Sequence, residues 1–316
     1  MKLINCPKVH SQTGIALITV MLVLAVVTVA LVSMSSDRQM DIRRTENQLR
    51  SIQAWEYVYG VESWAINQLK IDADNNKYDD LNDSWSKPLG IKPIPEGTIK
   101  ADIVDLQGRI NLNNLLLDGI ASDEDVQRLK RLLTNLKINT DLVDVMLDWT
   151  DANMTISTSK SAEDETYAKL KPPYRTANVP FVEVSELLRL KGMTLKNYKI
   201  LLPYIYVADK RQAININTAS VVVLQTLAAD ITKDQAESLY KASGKPFKDI
   251  EEFLKDEALE GIAVNKESIT VVSDYFLLSG HIDMGKNGLM FTSQLNRDGL
   301  GAIKLDRRLR RSLLNG

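Results

Sequence analysis

The run from Ile15 to Met34 (I-A-L-I-T-V-M-L-V-L-A-V-V-T-V-A-L-V-S-M) carries no charged side chain, and this fixes the setting in which the rest of the chain must fold. An α-helix rises about 1.5 Å per residue and the hydrocarbon core of a bilayer is roughly 30 Å thick, so about 20 apolar residues span it. The run has that length. A cleavable secretory signal has a shorter apolar core, ~7–15 residues, with a small-residue cleavage site behind it. Here Ser35, Ser36, Asp37 and Arg38 follow, and no A-x-A pattern is present. An uncleaved signal anchor and an unusually long signal peptide are the alternatives. Charge does not orient the segment, because Lys2 and Lys8 precede it while Arg38, Arg43, Arg44 and Arg50 follow.

The chain has 316 residues, enough for two domains beyond the membrane segment. A net charge of −2 with 25% charged residues gives the whole molecule no electrostatic pull toward nucleic acid. Cys6 is the single cysteine and lies before the apolar run, which excludes intrachain disulfides and Cys-ligated zinc. His10 and His281 are far apart, and no P-loop, H-E-x-x-H, nucleophile elbow or Gly-rich dinucleotide turn occurs. A periplasmic hydrolase therefore has no named residues to carry it.

Beyond Met34 the helix should continue. Ile42, Thr45, Leu49, Ile52, Trp55, Tyr59, Ile66 and Leu69 recur at helical steps with Arg, Glu, Gln and Asn between them, and no proline interrupts them. The polar stretch Asp72 to Asp83 ends the pattern, and Pro88, Gly90, Pro93, Pro95 and Gly97 mark a loop. Asp72, Asp74, Asn76, Tyr78, Asp80 and Asp83 fall at EF-hand positions 1, 3, 5, 7, 9 and 12, but Lys77 replaces the turn glycine and Asp83 the bidentate Glu. This reads as a solvated turn.

Strand-like alternation appears at Thr98 to Val104, and again at Ser268 to Ile282, Leu289 to Asn296 and Ala302 to Leu305. The block from Asn111 to about Val264 reads as helices and loops. The fold class is α+β: a helical domain inserted into one antiparallel sheet that packs on a long N-terminal spine helix. The basic tail Arg307, Arg308, Arg310 and Arg311 is expected to be a solvated, frayed end.

Inside the helical block, G-R-I-N-L-N-N-L-L at Gly108 to Leu116 echoes Q-A-I-N-I-N-T-A-S-V-V-V-L at Gln212 to Leu224. In each, an Asn-x-Asn pair precedes an apolar run, consistent with Asn side chains capping free backbone N–H groups. The second copy resembles a helix-hairpin-helix module. In DNA-binding versions glycines let backbone amides approach a phosphate, whereas here Ala228, Ala229 and Asp230 stand at the hairpin and acids outnumber lysines around it. Protein docking or a purely structural role is expected, since DNA affinity depends on cations neutralising phosphates.

The stretch T-G-I-A-L-I-T-V-M-L-V-L-A resembles the start of a type IV prepilin or pseudopilin, cut by a dedicated peptidase after glycine. By that resemblance Gly14 ends the leader, Ile15 begins the mature chain and is N-methylated, and Thr19 occupies the fifth mature position, where most pilins carry Glu. Thr in that place on so long a chain resembles the large K-type minor pseudopilin of type II secretion. The D-W-T-D-A-N, S-A-E-D-E-T-Y and P-P-Y-R-T-A-N-V-P-F segments from Asp148 onward resemble it too.

The resemblance implies a leader at 1–14, a transmembrane helix at 15–34 and its continuation at 35–71. It further implies a pilin-type sheet domain at 72–110 and 265–316, and an inserted helical domain at 111–264. It implies a single-pass protein of the bacterial inner membrane with a cytoplasmic N-terminus and a periplasmic body. Such a subunit sits at the tip of the pseudopilus, where it initiates or caps assembly for export of folded proteins. Its partners would be minor pseudopilins of the I, J and H types, the major pseudopilin, the prepilin peptidase and the inner-membrane secretion platform. The K-type helical domain binds Ca2+, which takes six to eight oxygen ligands. Asp148, Asp151, Asn153, Glu163, Asp164 and Glu165 are the candidate ligands in this chain; an exposed acidic loop is the alternative. The rival from another class is a membrane-tethered helix-hairpin-helix DNA-uptake protein.

Overall fold

The computed structural model describes residues 13–95, 97–152, 162–241, 244–285, 287–299 and 301–311. The chain divides into two compact units, Met1–Tyr57 and Val58–Gly316. The first helix, α1 (Thr13–Asn75), runs through both. It extends past the expected end at 71 because the polar residues there still form helical bonds: the Asn76 amide donates to Asp72 O at 2.8 Å and Asn75 Nδ2 to Ile71 O at 2.7 Å.

In the first unit every side chain from Ile15 to Leu49 is exposed, and the helix is long and apolar enough to cross a membrane. The hydroxyls of Thr19, Thr28 and Thr45 are satisfied within the helix. Thr19 Oγ1 donates to Ala16 O at 2.9 Å and Thr28 Oγ1 to Leu24 O at 2.7 Å, so neither brings an unpaired polar atom into lipid.

In the second unit α1 buries Val58, Val61, Ala65 and Leu69 at helical spacing. The sheet comprises β1 (Lys92–Ile94), β2 (Gly97–Asp105), β3 (Tyr275–Met284), β4 (Asn287–Arg297) and β5 (Ile303–Arg311). Neighbours in the chain are neighbours in the sheet, and all pair antiparallel. Along β2 the inward residues Ile99, Ala101 and Ile103 alternate with exposed ones, as a strand with one covered face requires. Gly280 in β3 is forced by packing: a Cβ there would lie 2.2 Å from Phe291 Cε1.

Two sequence expectations need correction here. The stretch Ser268 to Ile282 is two strands, because after the short pairing at Ile269–Thr270 the chain turns through Val271–Asp274 before β3 begins. The basic tail through Arg311 is a paired edge strand, in register from Met290↔Arg311 to Arg297↔Ile303. Arg308 Nε and Nη2 donate to Glu62 Oε1 and Oε2 at 2.7 and 2.6 Å, and Arg308 lies 4.8 Å from the Tyr59 ring. A bidentate carboxylate on the spine holds the strand down.

The Asp72–Asp83 loop also departs from its expectation. Asp72, Asp79 and Asp80 are buried while Asp74 is exposed. Asp79 N donates to Val271 O at 2.8 Å and its Oδ2 accepts from Arg297 Nη2 and, at 2.7 Å, from Ser273 N. The loop is therefore tucked beneath the sheet. Burial, then the charges of Asp83 and Asp79, pushes Asp72 up to about 7.

Between β2 and β3 the chain makes two helical repeats, each opened and closed by a short parallel pair. Ile110–Asn111 pairs with Ile205–Tyr206, and Ile214–Asn215 pairs with Ile269–Thr270. The first repeat holds α2 (Asp123–Asn135), α3 (Asp141–Thr150), α4 (Asp164–Tyr167) and α5 (Leu195–Leu201). The second holds α6 (Val221–Leu224), α7 (Lys233–Leu239) and α8 (Ile250–Leu254). One continuous apolar core, including Leu129, Met146, Leu187, Leu224 and Phe253, joins them.

The repeated asparagines act alike. Asn111 Oδ1 accepts from the amide two residues on, and Asn215 Oδ1 does the same at 3.0 Å. The second asparagine of each pair grips a phenylalanine backbone from both sides. Asn113 accepts from Phe181 N and donates to Phe181 O, both at 2.9 Å, and Asn217 makes the same two bonds to Phe247 at 2.9 Å. Each phenylalanine follows a proline. At the junction with the sheet, buried Asp105 accepts from Asn215 Nδ2 at 3.1 Å, Ser273 Oγ at 2.7 Å and Thr218 Oγ1.

Candidate metal centre

The cluster starts from α3, whose apolar face (Leu142, Val143, Met146, Trp149) is buried in the core. Asp148 and Asp151 are three residues apart and so share one side of the helix end. A helix C-terminus carries partial negative charge, so two acids there are unfavourable unless a cation compensates. Glu163, immediately before α4, comes in from the other arm of the same connection.

One carboxylate oxygen from each of Asp148, Asp151 and Glu163 lies within 4.8 Å of the other two. Their relative exposures are 0, 8 and 2%. Three ionised carboxylates this close and this dry repel strongly. Burial, then Asp148 and Asp151, pushes Glu163 up to about 7. Glu163 Oε2 accepts from Thr176 Oγ1 at 3.4 Å, whereas buried Oε1 has no partner among the described residues. An all-oxygen donor set with an orphaned carboxylate oxygen suits a hard divalent cation.

The other candidates stand differently. Asp164 Oδ1 accepts from Thr176 N at 2.9 Å and Oγ1 at 2.8 Å, which holds its carboxyl below the usual range. It shapes the site by fixing Thr176. Glu165 faces solvent and pairs with Lys169 at 2.8 Å, and the cluster brings together Asp148, Asp151 and Glu163 without it. Asn153 lies outside the described residues. Thr176 is the participant that sequence reasoning missed, and the P-P-Y-R-T-A-N-V-P-F segment that carries it was singled out only for its resemblance.

An aromatic wall backs the cluster. The Trp149 and Tyr167 ring centroids are 5.3 Å apart edge-on, and Tyr167 stacks on Tyr174 at 5.2 Å. Apolar rings lower the local dielectric and strengthen any cation–carboxylate attraction. The Tyr174 hydroxyl donates to Arg189 O at 2.7 Å, and Tyr167 Oη accepts from Lys191 N at 3.2 Å, tying the wall to the end of the repeat.

Comparison with known proteins gives concordant results. Residues 108–210 and 214–272 match two family models, both described as Type II secretion system (T2SS), protein K. The two matches coincide with the two repeats. The chain is 33% identical to type II secretion system protein K of Pseudomonas aeruginosa, over 94% of this chain and 92% of that one. Against the protein K of Klebsiella pneumoniae it is 30% identical, over 92% and 94% respectively. The fold is similar to a chain of the GspK-GspI-GspJ complex from the enterotoxigenic Escherichia coli Type 2 Secretion System. There the TM-score is 0.75 at 25% identity, covering 85% of this chain and 99% of that chain.

Proposed function

This chain belongs to the type II secretion system protein K family, a minor pseudopilin family, and on that premise we propose that it sits at the tip of the pseudopilus and starts or caps its assembly for export of folded proteins. The observation that carries this reading is the pairing of an uncovered apolar helix with a sheet enlarged by two helical repeats. A helix exposed from Ile15 to Leu49 can lie in lipid or among the helices of a filament. A body this bulky would collide with the next subunit of a continuous stack and fits at an end.

Thr19 supports the same position. In ordinary pilins the fifth-residue Glu is taken to offset the N-terminal amine of a neighbour, and a carboxylate in the membrane is costly without such a partner. Thr19 satisfies its hydroxyl on its own helix at Ala16 O and needs no neighbour. The solved complex pairs GspK with GspI and GspJ, and minor pseudopilins of the I and J types are the partners proposed for this chain. The mature protein begins at Ile15 after cleavage behind Gly14, is N-methylated, and places its body in the periplasm. Ca2+ is held by Asp148, Asp151 and Glu163 and joins the two arms of the α3–α4 connection.

The test is placement. Thr19→Glu should leave secretion largely intact without turning the protein into a shaft subunit. Crosslinks that find this chain repeated along the shaft would contradict the tip assignment. Intact-mass analysis should show the chain starting at Ile15, and a full-length precursor in wild-type cells would contradict the processing.

A further inference from the structure

A second group of carboxylates stands apart from α3, at the far end of the spine. Asp72 in the last turn of α1, and Asp79 and Asp83 in the loop behind it, each bring one oxygen within 4.8 Å of the other two. The contacts around them leave this group short of positive charge. Asp79 Oδ2 is taken by Arg297 and Ser273 N. Asp83 Oδ1 accepts from Asn76 Nδ2 at 3.0 Å, and its Oδ2 accepts from Asp80 N at 2.7 Å and Trp85 Nε1 at 3.3 Å. Asp83 Oδ1, with a single donor, retains a second lone pair.

The independent sign of a ligand is a pair of orphaned atoms. Asp72 Oδ2 and Asp79 Oδ1 are buried without a hydrogen-bond donor among the described residues, on residues only 7 and 2% exposed. A buried carboxylate oxygen with no donor is strongly unfavourable. The last turn of α1 contains no basic residue, although a helix C-terminus favours a cation. Arg297 is the one cation bonded to the group among the described residues, and it reaches only the far oxygen of Asp79.

We propose that Asp72, Asp79 and Asp83 bind a hard divalent cation, with Ca2+ the expected ion, as a site separate from the one formed by Asp148, Asp151 and Glu163. The donors are all oxygens, which favours Ca2+ or Mg2+ over softer metals. Bridging Asp72 to Asp79 would link the end of the spine helix to the loop that Arg297 and Ser273 fasten to the sheet. The ion would clip spine to sheet where the helix stops. The arrangement is not an EF-hand, since Asp79 is in the cluster while Asp74 is exposed.

Calcium titration of the purified full-length chain in detergent, stripped with chelator, tests this by calorimetry. The variant Asp148→Asn with Glu163→Gln should still bind one Ca2+, and adding Asp72→Asn should remove it while the circular dichroism stays unchanged. If Asp148→Asn with Glu163→Gln removes nothing while Asp72→Asn removes an ion, the first site fails and this one stands. No residual calcium binding in the double variant overturns the proposal, provided that variant retains its circular dichroism. Crystals of the wild-type protein soaked in a lanthanide give a readout free of any folding defect. An anomalous peak about 2.5 Å from the three carboxylates is expected, and its absence, with Asp72 and Asp79 sharing a proton instead, overturns the site.

Discussion

The two repeats of the insertion use one scheme and then part company. Both begin with an Asn-x-Asn pair, both close with a parallel strand pair, and in both the second asparagine grips the backbone of a phenylalanine behind a proline. They differ in what lies between the helices and that phenylalanine. In the second repeat Leu239 is followed within a few residues by Pro246 and Phe247, whereas in the first the chain after Thr150 carries Asp151, Glu163, Asp164 and Glu165 before it reaches Pro180 and Phe181. The shared polar locks make the fold. The added acids are a local charge problem that the shared scheme does not solve, and a cation would solve it for the first repeat alone.

Calcium removal is the first test that would sharpen this contrast. An ion bound only to the native state stabilises it by about 2.7 kcal/mol at a hundredfold excess over Kd. Chelator should lower the Tm of the wild-type chain. Asp151→Ala with Glu163→Ala should abolish the part of that response due to the first repeat, and a chelator response equal to wild type in this variant would break the distinction.

Next comes the lock itself. Asn217 is fully buried, and Asn217→Ala strands both the N–H and the C=O of Phe247, a loss of about 2–4 kcal/mol at roughly 1–2 kcal/mol for each unmade bond. Asn113→Ala should cost less because Asn113 is only half-buried. Denaturant unfolding measures both, and equal small losses would show that the locks are incidental.

The pH response is smaller and follows from the acids. Glu163 is held near 7 against an ordinary 4.5, and Asp105 near 6 against 3.8, each raised first by burial. Between the ordinary and the raised values the native state binds more protons than the unfolded chain, so stability falls as pH rises through that window. Calcium-free protein should therefore lose Tm from about pH 3.8 to about pH 7, and added calcium should restore most where the loss is greatest. A flat calcium-free profile would contradict the account. Smallest of all, Glu165→Gln should leave both Tm and the calcium response unchanged, because Glu165 only pairs with Lys169 in solvent.

Much of this was legible in the sequence because it is local. The apolar run, the helical spacing of the spine, the alternation of β2 and the Asn-x-Asn echo all depend on near neighbours. Asp148, Asp151 and Glu163 could be picked out as acids on two arms of one connection. What could not be read rests on distant partners. The tail looked like a loose basic end because Glu62, which holds Arg308, is 246 residues away. The Asp72–Asp83 loop looked solvated because Arg297, which holds Asp79, is 218 residues away. The phenylalanine locks escaped notice because their donors and acceptors are backbone atoms, which no residue pattern displays. The second repeat carries the short helices α6 and α7, with Thr232 and Gln235 forming a capping box at the start of α7.

The contrast between the repeats is tested most directly by hydrogen exchange of the full-length chain in detergent, with and without calcium, read by mass spectrometry. The account predicts that calcium slows exchange in α3, α4 and the segment through Asn178, while the helices of the second repeat, α6 to α8, exchange at the same rate in both conditions. Equal protection in both repeats, or no calcium effect in the first, would contradict it.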